Sequence, residues 1–424
     1  MNQSEPTVAR PDVSSPPLDP EAFDLEPGIL WIMHCSEGPV PKASAAAIRD
    51  FLGRETQPWK LGWERDFIGL PQRVRRGAAA LLGAREEDLT LTQTTSSGLA
   101  AIAQGFPWRE GDEVVAPLGE FPSNAWPWKT LAARGVTLRE VPLWPGHHAG
   151  ATAWESAPPT IDSRPEDRLL AALGPKSRIL TVSWVRFQDG LKLDLERLAR
   201  GCAERGVALV VDGIQGAGTQ ALPPLEGLQG GRSGLVAFAT GGHKGLLAPQ
   251  GLGLLWTGPD FRDSLAPPGG WLGVEEATNF DRPSTDLERG WAADGSRLEL
   301  GVPNLVGCAA LAESLALIEG AGGAATVATH VDALTVHFLA GLGALPRWRE
   351  EAERLEALRA AGRLGAILGL HHGEVGLDGL NALLRSAFDA GIYPSVREGY
   401  LRIAFHGFHT GENVQRVLEW LARA

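Results

Sequence analysis

The run ALVVDGIQ ends in Asp212, where the backbone leaves a stretch apolar enough to be buried, and Gln215 follows three residues later. An anion buried there costs free energy unless a cation or a protonated nitrogen meets it. Taken alone, such an aspartate reads as a turn or a helix cap. Further on, the strand-like GLVAFAT runs into GGHKGLLAPQGLGLLW, which holds Lys244 between His243 and Gly245 in a segment too glycine-rich to be a packed helix. A lysine among small residues at the end of a buried strand is desolvated, which lowers its pKa and makes it a nucleophilic amine able to form a Schiff base. The chain has six lysines, at 42, 60, 129, 176, 192 and 244, and only Lys244 has this setting. Two further segments suit anions. Thr94, Thr95, Ser96, Ser97 and Gly98 form a hydroxyl-rich turn at a helix start, fit for a phosphate or for simple capping. Arg402 in GYLRIAF offers a planar fork that meets a carboxylate through two hydrogen bonds, or else a surface ion pair.

The elements that position these residues alternate. From about Ala78 to Gly241, helical and strand-like patterns follow one another, with strands expected at 113–117, 136–142, 178–183 and 207–211 and an amphipathic helix at 193–205. The run 207–211 is apolar throughout, as in a parallel strand buried on both faces. This alternation predicts a doubly wound α/β domain, whose chemistry sits at the carboxyl ends of the strands. Beyond Gly301 the pattern changes to long helices, a strand LRIAF and a closing helix, which predicts a smaller α+β domain. The expected division is a Pro-rich disordered tail over 1–27, a large domain over 28–310 whose segment 28–60 lies near the small domain, and a small domain over 311–424.

In order and spacing, these motifs resemble the class V aminotransferase family, pyridoxal-phosphate enzymes of fold type I that include cysteine desulfurases, isopenicillin N epimerase and kynureninase. The resemblance covers about residues 28–424. It implies a large domain with a mostly parallel seven-stranded sheet and pyridoxal 5'-phosphate as cofactor. Lys244 would then be the Schiff-base lysine and proton shuttle, and Asp212 the partner that keeps the pyridinium nitrogen protonated, so that the ring acts as an electron sink. Gln215 would hydrogen-bond the ring oxygen, Thr95, Ser96 and His243 would hold the phosphate, and Phe121 in GEFPSNAWPWK would stack on the ring. Arg402 would grip the substrate carboxylate. His34 and Ser36 in WIMHCSEGPVP, with Arg186 and Gln188 in SWVRFQDG, would line the substrate site.

The chain also departs from the family's commonest pattern. Gly241 stands where desulfurases carry a serine three residues before the lysine, with Thr240 one step earlier, and Val302 in ELGVPN replaces a threonine that in many relatives reaches the neighbouring subunit's phosphate. No cysteine occurs between Leu370 and Arg402, where desulfurases place their mobile thiol. The resemblance therefore implies an enzyme acting on an amino acid or keto acid, with transamination first and C–S lyase or epimerase activity as alternatives. A reading of another class is a catalytically idle cofactor-binding scaffold, which would have no physical need of Lys244, Asp212 and Arg402 together. A homodimer is implied by the family.

Composition narrows the partners. With 51 acidic against 39 basic residues the formal charge is −12, which argues against a nucleic-acid partner or an anionic membrane surface. No uninterrupted apolar stretch reaches the roughly 18 residues of a membrane span. The three cysteines, Cys35, Cys202 and Cys308, have no paired spacing, so neither a disulfide framework nor a thiolate metal site is expected and a cytoplasmic location fits. His406 with His409 and His371 with His372 lack a carboxylate at ligand spacing, and no metal is expected. GPKS at 174–177 and GLG at 251–253 lack the order of nucleotide-binding loops and read as turns.

Overall fold

The structure, a computed structural model, describes residues 13 and 15–423. Seven strands form the path of the central sheet: β1 (Leu89–Thr92), β2 (Glu113–Pro117), β3 (Thr137–Val141), β4 (Ser177–Ser183), β5 (Ala208–Asp212), β6 (Ser233–Gly241) and β7 (Gly253–Thr257). Their spatial order is β1-β7-β6-β5-β4-β2-β3, and the two-residue strand Gln229–Gly230 pairs with β6 off this path. Pairing is parallel from β3 through β2, β4 and β5 to β6, whereas β7 runs antiparallel to both β6 and β1. The fold is therefore α/β with a mostly parallel sheet, the fold type I architecture.

Burial follows from composition. β5 and β6 are Val-, Leu-, Ala- and Phe-rich, and every residue of β5 is buried, as strands covered on both faces must be. The covering helices are amphipathic: Leu195–Ala203 buries Leu195, Leu198, Ala199 and Cys202 and is capped by Asp194, whose side chain accepts from the Arg197 amide.

After the central sheet come β8 (Ile367–His371), β9 (Ser395–Arg397) and β10 (Tyr400–Ala404), an antiparallel sheet in the order β8-β10-β9. The amino-terminal segment joins it. Leu30 and Trp31 pair in parallel with Ile392 and Tyr393, and Met33 bridges to Ala404. Helix Gly323–Gly343 is long and apolar enough to cross a membrane. It buries Val331, Leu334, Phe338 and Leu342 and presents Asp332 to an ion pair with Arg359, so it packs as a core helix.

The expected disordered tail needs correction. Residues 1–12 and 14 lie outside the described residues, but 15–27 pack against the body. Leu18 and Phe23 are buried in a cluster with Leu247, Val327, Val331 and Phe408, and the Leu18 amide donates to the Gly407 carbonyl at 3.0 Å. Leu18, Phe23 and Leu25 among prolines are too sparse for a periodic signal, yet the first two find buried sites in the tertiary structure.

Candidate active site

The carboxyl ends of the parallel strands converge on one cavity of about 290 Å³. β5 delivers Asp212, β6 leads into His243 and Lys244, β1 leads into Thr94, Thr95 and Ser96, and β2 leads into Phe121. Arg402 comes from β10, and Cys35 and Ser36 from the amino-terminal segment. A larger cavity of about 880 Å³, lined by Trp63, Arg75, Trp271, Glu299 and Val302, contains none of these groups.

Lys244 sits on a segment held by close backbone contacts. The Gly38 amide donates to the His243 carbonyl at 2.7 Å, and His406 Nε2 donates to the Gly245 carbonyl at 2.9 Å. A Cβ on Gly245 would lie 2.2 Å from the Ala217 carbonyl oxygen, so glycine is required beside the lysine. The ammonium is buried, and that burial holds its pKa below the usual lysine value, with the Asp212 carboxylate opposing the shift. Asp212 Oδ1 accepts from the Ile214 amide at 3.0 Å. Burial pushes the Asp212 carboxyl up to about 6, while the Ile214 amide and Lys244 pull it down. Lys244 Nζ lies 5.5 Å from the centre of the Phe121 ring, which meets Phe187 edge-on at 5.1 Å.

The helix Thr95–Gly105 starts at the cavity with Thr94 as its cap, in a reciprocal capping box with Ser97. Thr95 Oγ1 is buried and has no hydrogen-bond partner, an orphan polar atom in the cavity lining. Ser96 Oγ donates to Ser123 Oγ at 2.8 Å. Gln215 uses Nε2 to hold the Cys35 carbonyl at 3.0 Å, which ties the amino-terminal segment to the sheet end. Arg402 is buried, and its three nitrogens donate to neutral oxygens: Nε to Ser395 Oγ at 3.0 Å, Nη1 to the Phe187 carbonyl at 2.8 Å and Nη2 to Ser36 Oγ at 3.1 Å. Its charge meets no carboxylate in these contacts.

Three expected lining residues stand elsewhere. Arg186 is buried in an ion pair with Asp189 at 3.1 Å and lies 5.2 Å from the Trp144 ring. Gln188 donates to the Gly119 carbonyl at 2.6 Å and to Glu398 at 3.1 Å. Both residues are excluded from the lining because the loop turns Phe187, between them, into the cavity. His34 is buried beside the cavity, with Nδ1 donating to the Ala404 carbonyl at 3.2 Å and its ring edge-on to His406 at 5.1 Å. Burial and the neighbouring His406 and His409 hold it neutral. The lining also includes Cys35, Ser123, Phe187, Ile214 and Arg397, which the sequence reading did not select. Ser123 had a faint signal, two residues beyond Phe121, while the others are brought in by tertiary contact.

The aminotransferase class-V family model matches residues 64–360, well over half of the chain. The chain belongs to the aminotransferase class-V family. It is accordingly an enzyme of the pyridoxal-phosphate-dependent type. Among curated relatives, isopenicillin N epimerase of Streptomyces clavuligerus is 27% identical over 256 residues, 59% of this chain and 57% of the relative. A probable cysteine desulfurase of Aeropyrum pernix is 26% identical over 322 residues, 74% of this chain and 72% of the relative. The match thus spans little more than half the epimerase's length. Among solved structures, a C-DES mutant with glycine covalently linked to its PLP cofactor superposes with a TM-score of 0.78 at 20% identity, covering 95% of this chain and 99% of that one. That similarity is one of fold.

The residues present fit pyridoxal phosphate. A buried amine, a buried carboxylate, a helix N-terminus with an orphan hydroxyl and an aromatic face line a single cavity.

Proposed function

We propose that this class-V enzyme transfers the amino group of an amino acid. Lys244 would be the residue that binds the cofactor covalently, and Asp212 the partner of its ring nitrogen. Thr95, Ser96 and His243 would hold its phosphate, Gln215 its ring oxygen and Phe121 its face. When bound, pyridoxal phosphate supplies an electron sink for charge that develops at the substrate's α-carbon.

The protein's own groups do the rest. Desolvation leaves Nζ of Lys244 more readily deprotonated than an exposed lysine, so it can attack a carbonyl carbon and later accept and return a proton at Cα. Asp212, with its carboxyl near 6, is ionised at neutral pH and presents a negative charge to a protonated nitrogen. Arg402, steadied by Ser36, Ser395 and the Phe187 carbonyl, offers its unneutralised charge to the substrate's α-carboxylate. Phe121 carries no proton donor or acceptor, which leaves Lys244 as the proton carrier beside it.

The observation that supports this reading most is the convergence of three buried groups, Lys244, Asp212 and Arg402, in one cavity. C–S bond cleavage is the second reading, favoured by the cysteine desulfurase relative and by Cys35 in the lining. The cofactor-loaded enzyme, given 15N-labelled amino acids and unlabelled keto acids, is expected to move the label into new amino acids. Release of sulfide or pyruvate without label transfer would favour the lyase, and inversion at Cα alone would favour an epimerase.

We further propose a homodimer, because Trp271, Leu300 and Val302 are 48%, 66% and 45% exposed on one chain, an apolar display unusual for a monomer surface. Analytical ultracentrifugation is expected to give twice the chain mass, and a monomer at micromolar concentration would contradict it.

A further inference from the structure

Arg397 and Arg402 belong to adjacent strands of the small sheet. The register pairs Ser395 with Arg402 and Arg397 with Tyr400, so the two arginines are diagonal neighbours on one face, about 7 to 8 Å apart along the backbone. Both line the active-site cavity. Arg397 adds positive potential at Arg402 and the Glu398 carboxylate offsets part of it, yet among the described residues neither arginine forms an ion pair. Arg402 is occupied by two hydroxyls and a carbonyl, while Arg397 makes no ion pair among the described residues. Glu398, next in sequence, accepts instead from the Gln188 amide, its backbone held at a φ of 44°. The lining contains one acid, Asp212, against three cations, Lys244, Arg397 and Arg402.

Resting on the proposed amino-acid substrate, the balance of charge leaves one cation unused. One α-carboxylate satisfies Arg402, which is buried, while Arg397 is exposed at the same cavity. We propose that the substrate is an amino acid with a second acidic group on its side chain, the α-carboxylate meeting Arg402 and the distal acid meeting Arg397. A neutral side chain would leave Arg397 solvated and gain nothing from it. A basic one would be repelled by both arginines.

The test compares isosteric pairs, aspartate with asparagine and glutamate with glutamine, binding to the cofactor-loaded enzyme, followed by the change in its visible spectrum. The acidic member of at least one pair is expected to bind roughly five- to tenfold more tightly, as for a partly exposed charge-assisted contact. That ratio should fall to about one in Arg397→Gln and should shrink with added salt. Equal affinities within both pairs, or a ratio that survives Arg397→Gln, would overturn the proposal while leaving the amino-acid reading intact. A spectrum that no amino acid alters would remove the amino-acid reading and this proposal with it.

Discussion

Lys244 and Phe121 face each other within the cavity, the lysine nitrogen 5.5 Å from the ring centre. The two reach that position from different strand ends, Lys244 from the segment after β6 and Phe121 from the loop after β2. The ring turns an apolar, mildly electronegative face to the amine. Around the same nitrogen, burial lowers the proton affinity while Asp212 raises it. Lys244 is thus placed between an aromatic face and a carboxylate, with Arg402 adding positive potential from β10 of the antiparallel sheet. This balance between desolvation and a single buried acid is the physical basis for the activity proposed above.

Asp212 should leave a signature in the pH dependence of stability. Its carboxyl titrates near 6 in the folded cofactor-free protein against 3.8 as the ordinary value. Between those pH values the folded protein holds a proton that the unfolded chain has released, so stability falls as pH rises through this window and then levels off. The shift corresponds to about 3 kcal/mol. Denaturant unfolding of the cofactor-free protein should show this loss between pH 4 and 6 relative to Asp212→Asn. Parallel curves for the two proteins would refute it.

Arg402→Lys should fail to restore substrate binding. The guanidinium engages Ser395, Phe187 and Ser36 through three nitrogens in a fixed plane, and a lysine has a single nitrogen on a flexible stem. Affinity for amino acids, read by spectral titration, should drop roughly 10- to 100-fold for Arg402→Lys as for Arg402→Ala. Near-normal affinity in the lysine variant would show that charge alone suffices.

Arg186→Ala should act on stability. Asp189 is as deeply buried as Arg186, and the loss of Arg186 leaves Asp189 as an uncompensated anion. The expected cost is about 3 to 5 kcal/mol, read as a lowered denaturation midpoint. Full stability with impaired substrate binding would instead return Arg186 to the substrate site.

Leu18→Ala should destabilise the protein by about 2 to 5 kcal/mol if the amino-terminal segment is integral. The side chain packs into the same cluster as Leu247, three residues beyond Lys244, so cofactor retention should weaken as well. Unchanged unfolding would restore the reading of residues 15–27 as a loose tail.

These cases also show where the sequence was readable. Asp212 and Lys244 stand out because an ionisable side chain at the end of an apolar strand is conspicuous, and a parallel sheet brings such ends to one edge by topology alone. Arg402 lies mid-strand in Tyr400–Ala404 and is placed by resemblance to the family's carboxylate-binding arginine. The orientation of SWVRFQDG was not legible, because it depends on the Arg186–Asp189 pair and on Trp144 lying over Arg186, neither of which leaves a periodic mark. Ser36 could be placed near the site only by resemblance and Cys35 not at all, since the position of this segment rests on the bond from Gln215 to the Cys35 carbonyl, 180 residues away in sequence. The pairing of Arg397 with Arg402 on one face needed the strand register, which the hairpin turn sets.

The central claim is that Lys244 is the lysine that holds the cofactor. Its most direct test is to load the protein with pyridoxal phosphate, reduce it with borohydride, digest it and locate the modified lysine by mass spectrometry. The account predicts the cofactor on the peptide carrying Lys244 and no modification at that site in Lys244→Ala. Modification at one of the other five lysines, Lys192 foremost because it too is partly buried with a pKa lowered by desolvation, or at none, would contradict it.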